Sequence, residues 1–174
     1  VYGRTGIKST VNQTTNDTDL ARYKQDGSLV RVDSHAGCRP AHLQFQDHIY
    51  SLIGDTEKYP DFESTTGYGT ITGIGGIKCR HHTLPYVEGE GYMKVPQMND
   101  DDNAALYANK QNQRRLEVNV RKAKRQLEAA EKLGDPADIA NAKQLVTRRQ
   151  TAVREFVNEK GLTRRYYREK INEK

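Results

Sequence analysis

Apolar side chains are scarce in this sequence: they make up 34% of its 174 residues, and there is no tryptophan. With a mean hydropathy of -0.92, the buried core must be small, and we expect part of the chain to depend on a partner for order. No run of about 18 apolar residues occurs, so we predict no membrane span, and no segment resembles a signal peptide. The first residue is Val rather than Met, so we expect a fragment or a processed chain.

Cysteine is also scarce, with only Cys38 and Cys79 in the sequence. Two thiols so far apart along the chain could form a disulfide, remain free or share a metal ion. Because no secretion signal is recognisable, we expect a reducing compartment and no disulfide.

The net charge of +5 is unevenly distributed along the chain. Residues 99–174 contain 18 Lys and Arg against 12 Asp and Glu, whereas residues 1–98 contain 10 against 11. A basic C-terminal segment indicates contact with nucleic acid or with an acidic protein surface. The alternative is a solvated helix in which both signs of charge are interspersed.

The pattern of residues 1–98 predicts a small mixed α+β domain. Residues 16–19 can cap a short helix that runs through Tyr23 and that Gly27 ends, because Asx and Thr side chains accept bonds from free N–H groups. The rest of the pattern predicts a strand at 29–32, a short helix at 41–46 preceded by Pro40, a strand at 48–53 and a loop at 54–76.

Residues 99–174 have the pattern of a basic helical hairpin with a tail. Acidic residues 100–102 complement a helix N-terminus, and the apolar residues that follow recur at spacings near three and four up to Leu133. A Gly-Asp-Pro sequence at 134–136 breaks this helix, and a second helix continues until Gly161 ends it. We therefore predict an antiparallel helical hairpin that packs on another surface.

Most of the unusual chemistry lies between Ser34 and Tyr86. This stretch contains all five histidines, both cysteines and seven of the fourteen glycines. Histidine and cysteine in short groups can present ligands to zinc. The candidate metal ligands are His35, His42, Cys79 and His81. The alternative is a packed core in which the thiols are buried and the histidines hydrogen-bond locally.

Three further side chains belong to the same candidate cluster, namely Arg39, Tyr68 and Arg80. The two arginines can bind phosphate or pair with nearby aspartates, and we favour internal pairing for at least one of them. Tyr68 lies between two glycines and is predicted to pack over the cluster. The glycines at 67–76 indicate either tight backbone packing or a phosphate cradle, but they match neither the dinucleotide fingerprint nor the Walker A loop.

A second constellation points to an enzyme. Arg31 on a predicted strand, a Ser-Thr-Thr triplet that begins at Ser64, and Glu88 with Glu90 occur in the order of the Arg, Ser-Thr-Ser and Glu-x-Glu elements of ADP-ribosyltransferases. In those enzymes the Arg holds the cofactor phosphates and the last Glu directs transfer. The candidate catalytic residues of such a toxin-like enzyme are Arg31, Ser64, Glu88 and Glu90. A metal-dependent hydrolase that uses the His/Cys cluster is the other enzymatic alternative.

An ordered series of short blocks runs through the chain: VDSHAGCRPAH at 32–42, FQ at 45–46, IYS at 49–51, YPDF at 59–62, TGYG at 66–69 and KCRH at 78–81. Through these blocks and the Arg-rich hairpin, the chain resembles the C-terminal part of the phage minor capsid protein 2 family, which is itself similar to the Mu F-like head-morphogenesis domain. Cys38 departs from the pattern, since we expect a small residue there, typically Ala. The Glu-Gly-Glu run at 88–90 is not a feature of that family, which weighs against the transferase.

The resemblance implies a structural virion component that is present in few copies near the portal side of the head. It implies a role in head morphogenesis and in DNA packaging or delivery, with portal or capsid proteins as partners. The expected location is the virion, after assembly in the host cytoplasm. We expect a structural protein rather than an enzyme, with no cofactor or with zinc.

The basic hairpin suits contact with packaged double-stranded DNA, because phosphate charge attracts Lys and Arg without regard to sequence. The candidate contact residues are Arg114, Arg115, Arg121, Lys122, Arg125, Arg148, Arg149, Arg164 and Arg165. An acidic capsid or portal surface suits the hairpin equally well. The predicted organisation is a Mu F-like α+β domain at 1–98 that holds the His/Cys/Arg cluster, followed by a basic helical hairpin and tail at 99–174.

Overall fold

The computed structural model of the chain describes residues 2–26 and 28–171. Within those residues the elements, in chain order, are α1 (Tyr2–Asp26), β1 (Leu29–Val32), a 3-10 helix (Pro40–Phe45), β2 (Ile49–Ser51), α2 (Phe62–Thr66), β3 (Thr83–Pro85), α3 (Asp100–Leu133), α4 (Pro136–Glu159) and a second 3-10 helix (Tyr166–Arg168). The predicted α+β class with a C-terminal helical hairpin is confirmed. None of the described helices is long and apolar enough to cross a membrane.

The sheet is antiparallel, with β1 at its centre and β2 and β3 at its edges. Val30 pairs with Tyr50 of β2 on one side and with Pro85 of β3 on the other. Val30 and Val32 are fully buried, whereas Arg31 between them is half-buried. This alternation is that of a strand with one face on a core. Pro85 is tolerated because β3 is an edge strand.

The buried face of β1 belongs to the hydrophobic core of the first part of the chain. The buried members of this core are Leu20, Tyr23, Val30, Val32, Tyr50, Leu52, Phe62 and Ile74, with Phe45 and Tyr68 packed against them. These residues come from α1, the first 3-10 helix, the sheet with the residue after β2, α2, and the Gly-rich loop at 67–76. A single small core therefore joins all of these elements. Burial raises the pKa of Tyr50 to about 12, because the core solvates a phenolate poorly.

The first helix is longer than predicted, so the predicted start near residue 16 was wrong: α1 begins at Tyr2. The polar side chains that suggested a cap lie inside the helix. Asn16 is buried, and Thr18 Oγ1 donates to the carbonyl of Thr14 at 2.9 Å, which satisfies the hydroxyl without a helix end. Gly27, which was predicted to end the helix, lies outside the described residues.

Two short elements that precede α3 were not predicted. Within the predicted loop at 54–76, α2 begins after Asp61, whose carboxylate accepts the backbone N–H of Ser64 at 2.7 Å. It ends at Gly67, whose φ of 63° is in the left-handed region that glycine adopts without strain. The other element, β3, is only three residues long, which is too short to show an alternating pattern in the sequence.

By compactness the chain divides into two units, residues 1–107 and 108–174. The first turns of α3 belong to the first unit and the rest of α3 belongs to the second. A compact unit is not the same as an independently folding domain, so the predicted domains at 1–98 and 99–174 stay a prediction.

The second unit contains the hairpin formed by α3 and α4. At the turn, Gly134 has a φ of 82°, and the carboxylate of Asp135 caps α4 by accepting the N–H groups of Ala137 and Asp138 at 2.9 Å each. The two helices and the chain after them pack through an apolar cluster of Leu116, Val120, Val153, Val157 and Leu162. The predicted break at 134–136 is thus confirmed.

An ion pair fixes the segment that follows α4. Arg164 donates through Nε and Nη2 to the two oxygens of Glu169, both at 2.7 Å, and Glu169 is buried. Arg121 of α3 donates to the backbone carbonyl of Arg168. The predicted tail at 162–174 is therefore a folded segment as far as it is described, and residues 172–174 lie outside the described part.

Candidate functional site

The His/Cys cluster forms where two segments of the first unit meet. His42 lies in the 3-10 helix and is buried, whereas Cys79 and His81 lie between the Gly-rich loop and β3. Cys79 Sγ is 3.7 Å from His42 Nδ1 and 3.3 Å from His81 Nδ1. One ligand atom from each of the three residues lies within 4.8 Å of the other two. Three of the four predicted metal ligands therefore surround one point.

The His42 ring has a defined tautomer. Its Nε2 lies 2.6 Å from the carbonyl oxygen of Thr72, which can only accept a hydrogen bond, so Nε2 carries the proton and Nδ1 presents a lone pair to Cys79. Burial lowers the pKa of His42, partly opposed by the bond to Thr72. The ring is therefore neutral at neutral pH.

His81 is held between a second imidazole and an amide. Its ring centroid is 4.4 Å from that of His35, and its Nε2 is 2.9 Å from Nε2 of Gln46. Burial lowers the pKa of His81 to about 3, and the positive charges that His35 and His42 can carry add to the effect. The fourth predicted ligand, His35, belongs to a different group, with Asp33 and His81, whose ligand atoms also lie within 4.8 Å of one another.

Gln46 is the central polar residue that the sequence analysis did not identify as part of the site. It is buried, it accepts a hydrogen bond from Ser34 Oγ at 3.1 Å, and it donates to the carbonyl of His35 at 3.1 Å. Together with its contact to His81, these bonds make the amide a hub of the cluster. The signal that could have found it was its place in one of the family blocks, directly after Phe45.

Arg39 ties the Gly-rich loop to the cluster. Its Nη1 donates to the carbonyl of Thr72 at 2.8 Å and its Nη2 to the carbonyl of Ile77 at 3.0 Å. The Thr72 carbonyl therefore accepts from both Arg39 and His42. These bonds are internal, although their acceptors are backbone carbonyls rather than the aspartates considered from the sequence.

The backbone of the Gly-rich loop is engaged in its own turns. The N–H groups that donate to acceptors inside the protein are those of Thr70, Gly73, Ile74, Gly76, Ile77 and Cys79. A phosphate cradle requires such groups to point at the ligand. Of the two roles considered from the sequence, these bonds favour tight backbone packing.

The other predicted members of the cluster have separate surroundings. Tyr68 packs against Phe62 at a centroid distance of 5.0 Å, and its hydroxyl donates to Asp17 at 2.6 Å; burial and this carboxylate raise its pKa. Arg80 is exposed. Cys38 is buried and is not in a disulfide, and its Sγ donates to the carbonyl of Arg39 at 3.4 Å.

The four candidate transferase residues are engaged elsewhere or exposed. Arg31 forms an ion pair with Asp47 at 2.5 Å and stacks on the ring of Tyr92, 4.3 Å from its centroid. Ser64 donates to the capping carboxylate of Asp61 at 2.7 Å. Glu88 pairs with Lys58, and Glu90 is exposed. An arginine that holds phosphate would need its guanidinium available, whereas Arg31 is committed to Asp47.

The nine candidate DNA-contact residues fall into two groups by exposure. The exposed group contains Arg115, Lys122, Arg125, Arg148 and Arg149, and the half-buried group contains Arg114, Arg121, Arg164 and Arg165. Arg115 and Lys122 are seven residues apart and share one face of α3. In the half-buried group, the guanidinium of Arg164 is already bound by Glu169.

Comparison with known proteins gives a consistent result. The sequence model of the phage minor capsid protein 2 family matches residues 1–158. A "Structural protein" of Lactococcus phage LL-H is 33% identical over 175 residues, which cover 97% of this chain and 47% of that relative. A "Structural protein" of Lactococcus phage mv4 is 37% identical over 115 residues, which cover 66% of this chain and 93% of that relative. The chain thus spans about half the length of the LL-H protein. No solved structure matches it.

Proposed function

Because the chain belongs to the phage minor capsid protein 2 family, we propose that it is a structural component of a phage virion, incorporated during head morphogenesis on the portal side of the capsid. The observation that carries this proposal is the family match over residues 1–158. Two relatives that bear the name "Structural protein" support it. In this role the protein is present in few copies, joins the head in the host cytoplasm and has portal or capsid proteins as partners.

Labelled virions test this role directly. Intact particles of the encoding phage are purified, their proteins are identified by mass spectrometry, and antibody-bound gold locates the protein by electron microscopy. We expect a low copy number per particle and gold at the vertex that joins head and tail. Absence from purified virions would overturn the structural role, and labelling spread evenly over the head would overturn the portal-side position.

The hairpin also supplies a surface for double-stranded DNA. The five exposed candidate contact residues, defined above, can each approach a backbone phosphate without reading a base. The buried apolar cluster of α3 and α4 holds these side chains on a rigid support. Contact of this kind depends on phosphate charge, so it has no sequence preference and it weakens as salt competes for the phosphates.

Salt titration of DNA binding tests this contact. Wild-type protein and the triple variant Arg115→Ala, Lys122→Ala, Arg125→Ala are titrated onto labelled duplexes of two unrelated sequences. We expect equal affinity for both duplexes, and a log–log salt slope that loses about 0.9 per phosphate contact removed in the variant. A matched control is Lys24→Ala with Lys58→Ala, two exposed lysines of the first unit. No binding at low salt would overturn the DNA contact while leaving the virion role intact.

A further inference from the structure

We propose that His42, Cys79 and His81 form a zinc site with three protein ligands. This inference goes beyond the proposed virion role and does not depend on it. It rests on the distances among three ligand atoms, on the hydrogen bond that orients one of the imidazoles, and on the positions of the ligands in the fold.

The distances fit tetrahedral coordination. Zinc binds sulfur at about 2.3 Å and nitrogen at about 2.0–2.1 Å, which in a tetrahedron separates a sulfur and a nitrogen ligand by about 3.5 Å. The distances from Cys79 Sγ to the Nδ1 atoms of His42 and His81 are 3.7 and 3.3 Å. Both sulfur–nitrogen distances are therefore within a few tenths of an ångström of the separation around a tetrahedral zinc ion.

The orientation of His42 is that of a metal ligand. In zinc sites the ring nitrogen that does not bind the metal usually donates to a carboxylate or a backbone carbonyl, which fixes the tautomer. His42 makes this bond to Thr72 at 2.6 Å. Thr72 is itself held by Arg39, so the loop that carries the acceptor is fixed as well.

The hydrogen bonds of Gln46 would differ between the metal-free and the metal-bound site. Its amide donates to Nε2 of His81, so the His81 proton is on Nδ1 and faces the sulfur of Cys79. On zinc binding Cys79 gives up its thiol proton to solvent and the His81 proton moves to Nε2. The amide of Gln46 then rotates to accept that hydrogen bond with its oxygen. The rotation breaks the bond from its NH₂ to the carbonyl of His35 and reverses the bond with Ser34 Oγ, which can also accept.

The neighbouring group of Asp33, His35 and His81 is a weaker candidate. It shares His81 with the first group, so the two cannot both bind an ion through the same nitrogen. Asp33 already accepts the backbone N–H of His82 at 2.8 Å. The first group also offers a thiolate, which zinc binds strongly together with imidazole.

Zinc at this position would link two segments that are far apart in sequence. His42 belongs to the 3-10 helix before β2, and Cys79 with His81 precedes β3. The core of this chain is small, so such a link matters for stability. It stabilises the folded state by the difference between the free energies of zinc binding to the folded and to the unfolded chain. The fourth coordination position is left to water.

Metal analysis of the full chain, purified without a polyhistidine tag, tests the proposal. We expect about one zinc ion per chain, and after replacement by Co²⁺ a thiolate-to-cobalt charge-transfer band together with the visible bands of a tetrahedral ion. Cys79→Ser and His42→Gln should lose the zinc and the charge-transfer band. The matched controls Cys38→Ser and His82→Gln should keep both, because neither residue belongs to the proposed site.

A second measurement does not require the ligand variants to fold. In Cys38→Ser protein, which has Cys79 as its single thiol, the rate of reaction with an aromatic disulfide reagent is followed with added zinc and with a chelator. We expect zinc to slow the reaction at least tenfold and the chelator to restore the rate, because a zinc-bound thiolate is a poorer nucleophile. A rate that zinc leaves unchanged, or wild-type protein that binds cobalt without a charge-transfer band, would overturn the proposal.

Discussion

Asn103 and Cys38 hydrogen-bond each other twice: the backbone N–H of Cys38 donates to Asn103 Oδ1 at 3.1 Å, and Asn103 Nδ2 donates to the carbonyl of Cys38 at 3.2 Å. Asn103 is fully buried in the first turns of α3. The side chain thus pairs with the loop after β1 as a neighbouring strand would, and it satisfies two backbone groups that are far from water. This pair connects the segment between β1 and the first 3-10 helix to the start of α3 within the first unit.

Asn103→Ala should therefore destabilise the fold by about 2–4 kcal/mol, because it leaves a buried donor and a buried acceptor of Cys38 without their partner. Chemical denaturation followed by circular dichroism measures the change. The matched control is Asn141→Ala, an exposed helical asparagine of α4, for which we expect a change within about 0.5 kcal/mol. Equal stability of the two variants would contradict a structural role for the pair.

Gly73 is fixed by its closeness to Gly67. A Cβ atom at Gly73 would overlap the carbonyl oxygen of Gly67 and would lie 2.8 Å from Thr70 Oγ1. Both neighbours are constrained, since Thr70 Oγ1 donates to that same carbonyl at 2.7 Å and accepts the N–H of Gly73 at 3.1 Å. The turn that follows α2 therefore leaves no room for any side chain at this position.

We predict that Gly73→Ala lowers the free energy of unfolding by at least about 2 kcal/mol, since the clash is with backbone rather than with a flexible side chain. Gly91 is the matched control, because a Cβ added there has no neighbour within 4 Å. Gly91→Ala should change stability by less than about 1 kcal/mol. Thermal and urea unfolding of both variants would check this, and a Gly73→Ala protein as stable as wild type would show that the turn can open without cost.

The sequence predicted the site's ligand types better than its geometry. His42, Cys79 and His81 were candidates because histidine and cysteine are rare and carry recognisable chemistry. That Nδ1 of both rings points at the sulfur depends on the turns of the Gly-rich loop, which no local pattern encodes. His35 is also a histidine, but it belongs to the group with Asp33 and His81. Its position is set by the path of the chain after β1, which residue spacing does not predict.

Gln46 and Asn103 escaped prediction for a related reason. An amide side chain carries no charge and has no periodic signature, so its role appears only when tertiary structure buries it beside partners that are distant in sequence. The helical hairpin was easier, because the apolar spacing of α3 and the Gly-Asp-Pro break are local. The extent of α1 was missed because Thr and Asn favour caps on average, whereas here a buried face that includes Asn16 and Leu20 keeps the chain helical.

Glu117 has an unusual environment for a carboxylate. It is 1% exposed, its Oε2 is 3.7 Å from Nη1 of Arg168, and its Oε1 has no hydrogen-bond partner within the described residues. Burial raises the pKa of Glu117, partly opposed by the positive charges of Arg168 and its neighbours. The folded chain therefore holds the Glu117 proton to higher pH than the unfolded chain does.

A raised folded-state pKa means that Glu117 favours folding while it is protonated, and that this contribution is lost as pH rises from the unfolded-state pKa through the folded-state pKa. Glu117→Gln, which keeps the shape and stays neutral, should therefore gain stability relative to wild type as pH rises above about 4.5, by at most about 1.4 kcal/mol per pH unit. Above the folded-state pKa the difference should reach a plateau. Urea unfolding of both proteins at a series of pH values measures this difference. The control is Glu128→Gln, at an exposed glutamate of the same helix, whose free energy of unfolding should differ from that of wild type by nearly the same amount at every pH. A difference between Glu117→Gln and wild type that is independent of pH would mean that Glu117 is ionised in the folded chain as readily as in the unfolded one, with Arg168 compensating its burial in full.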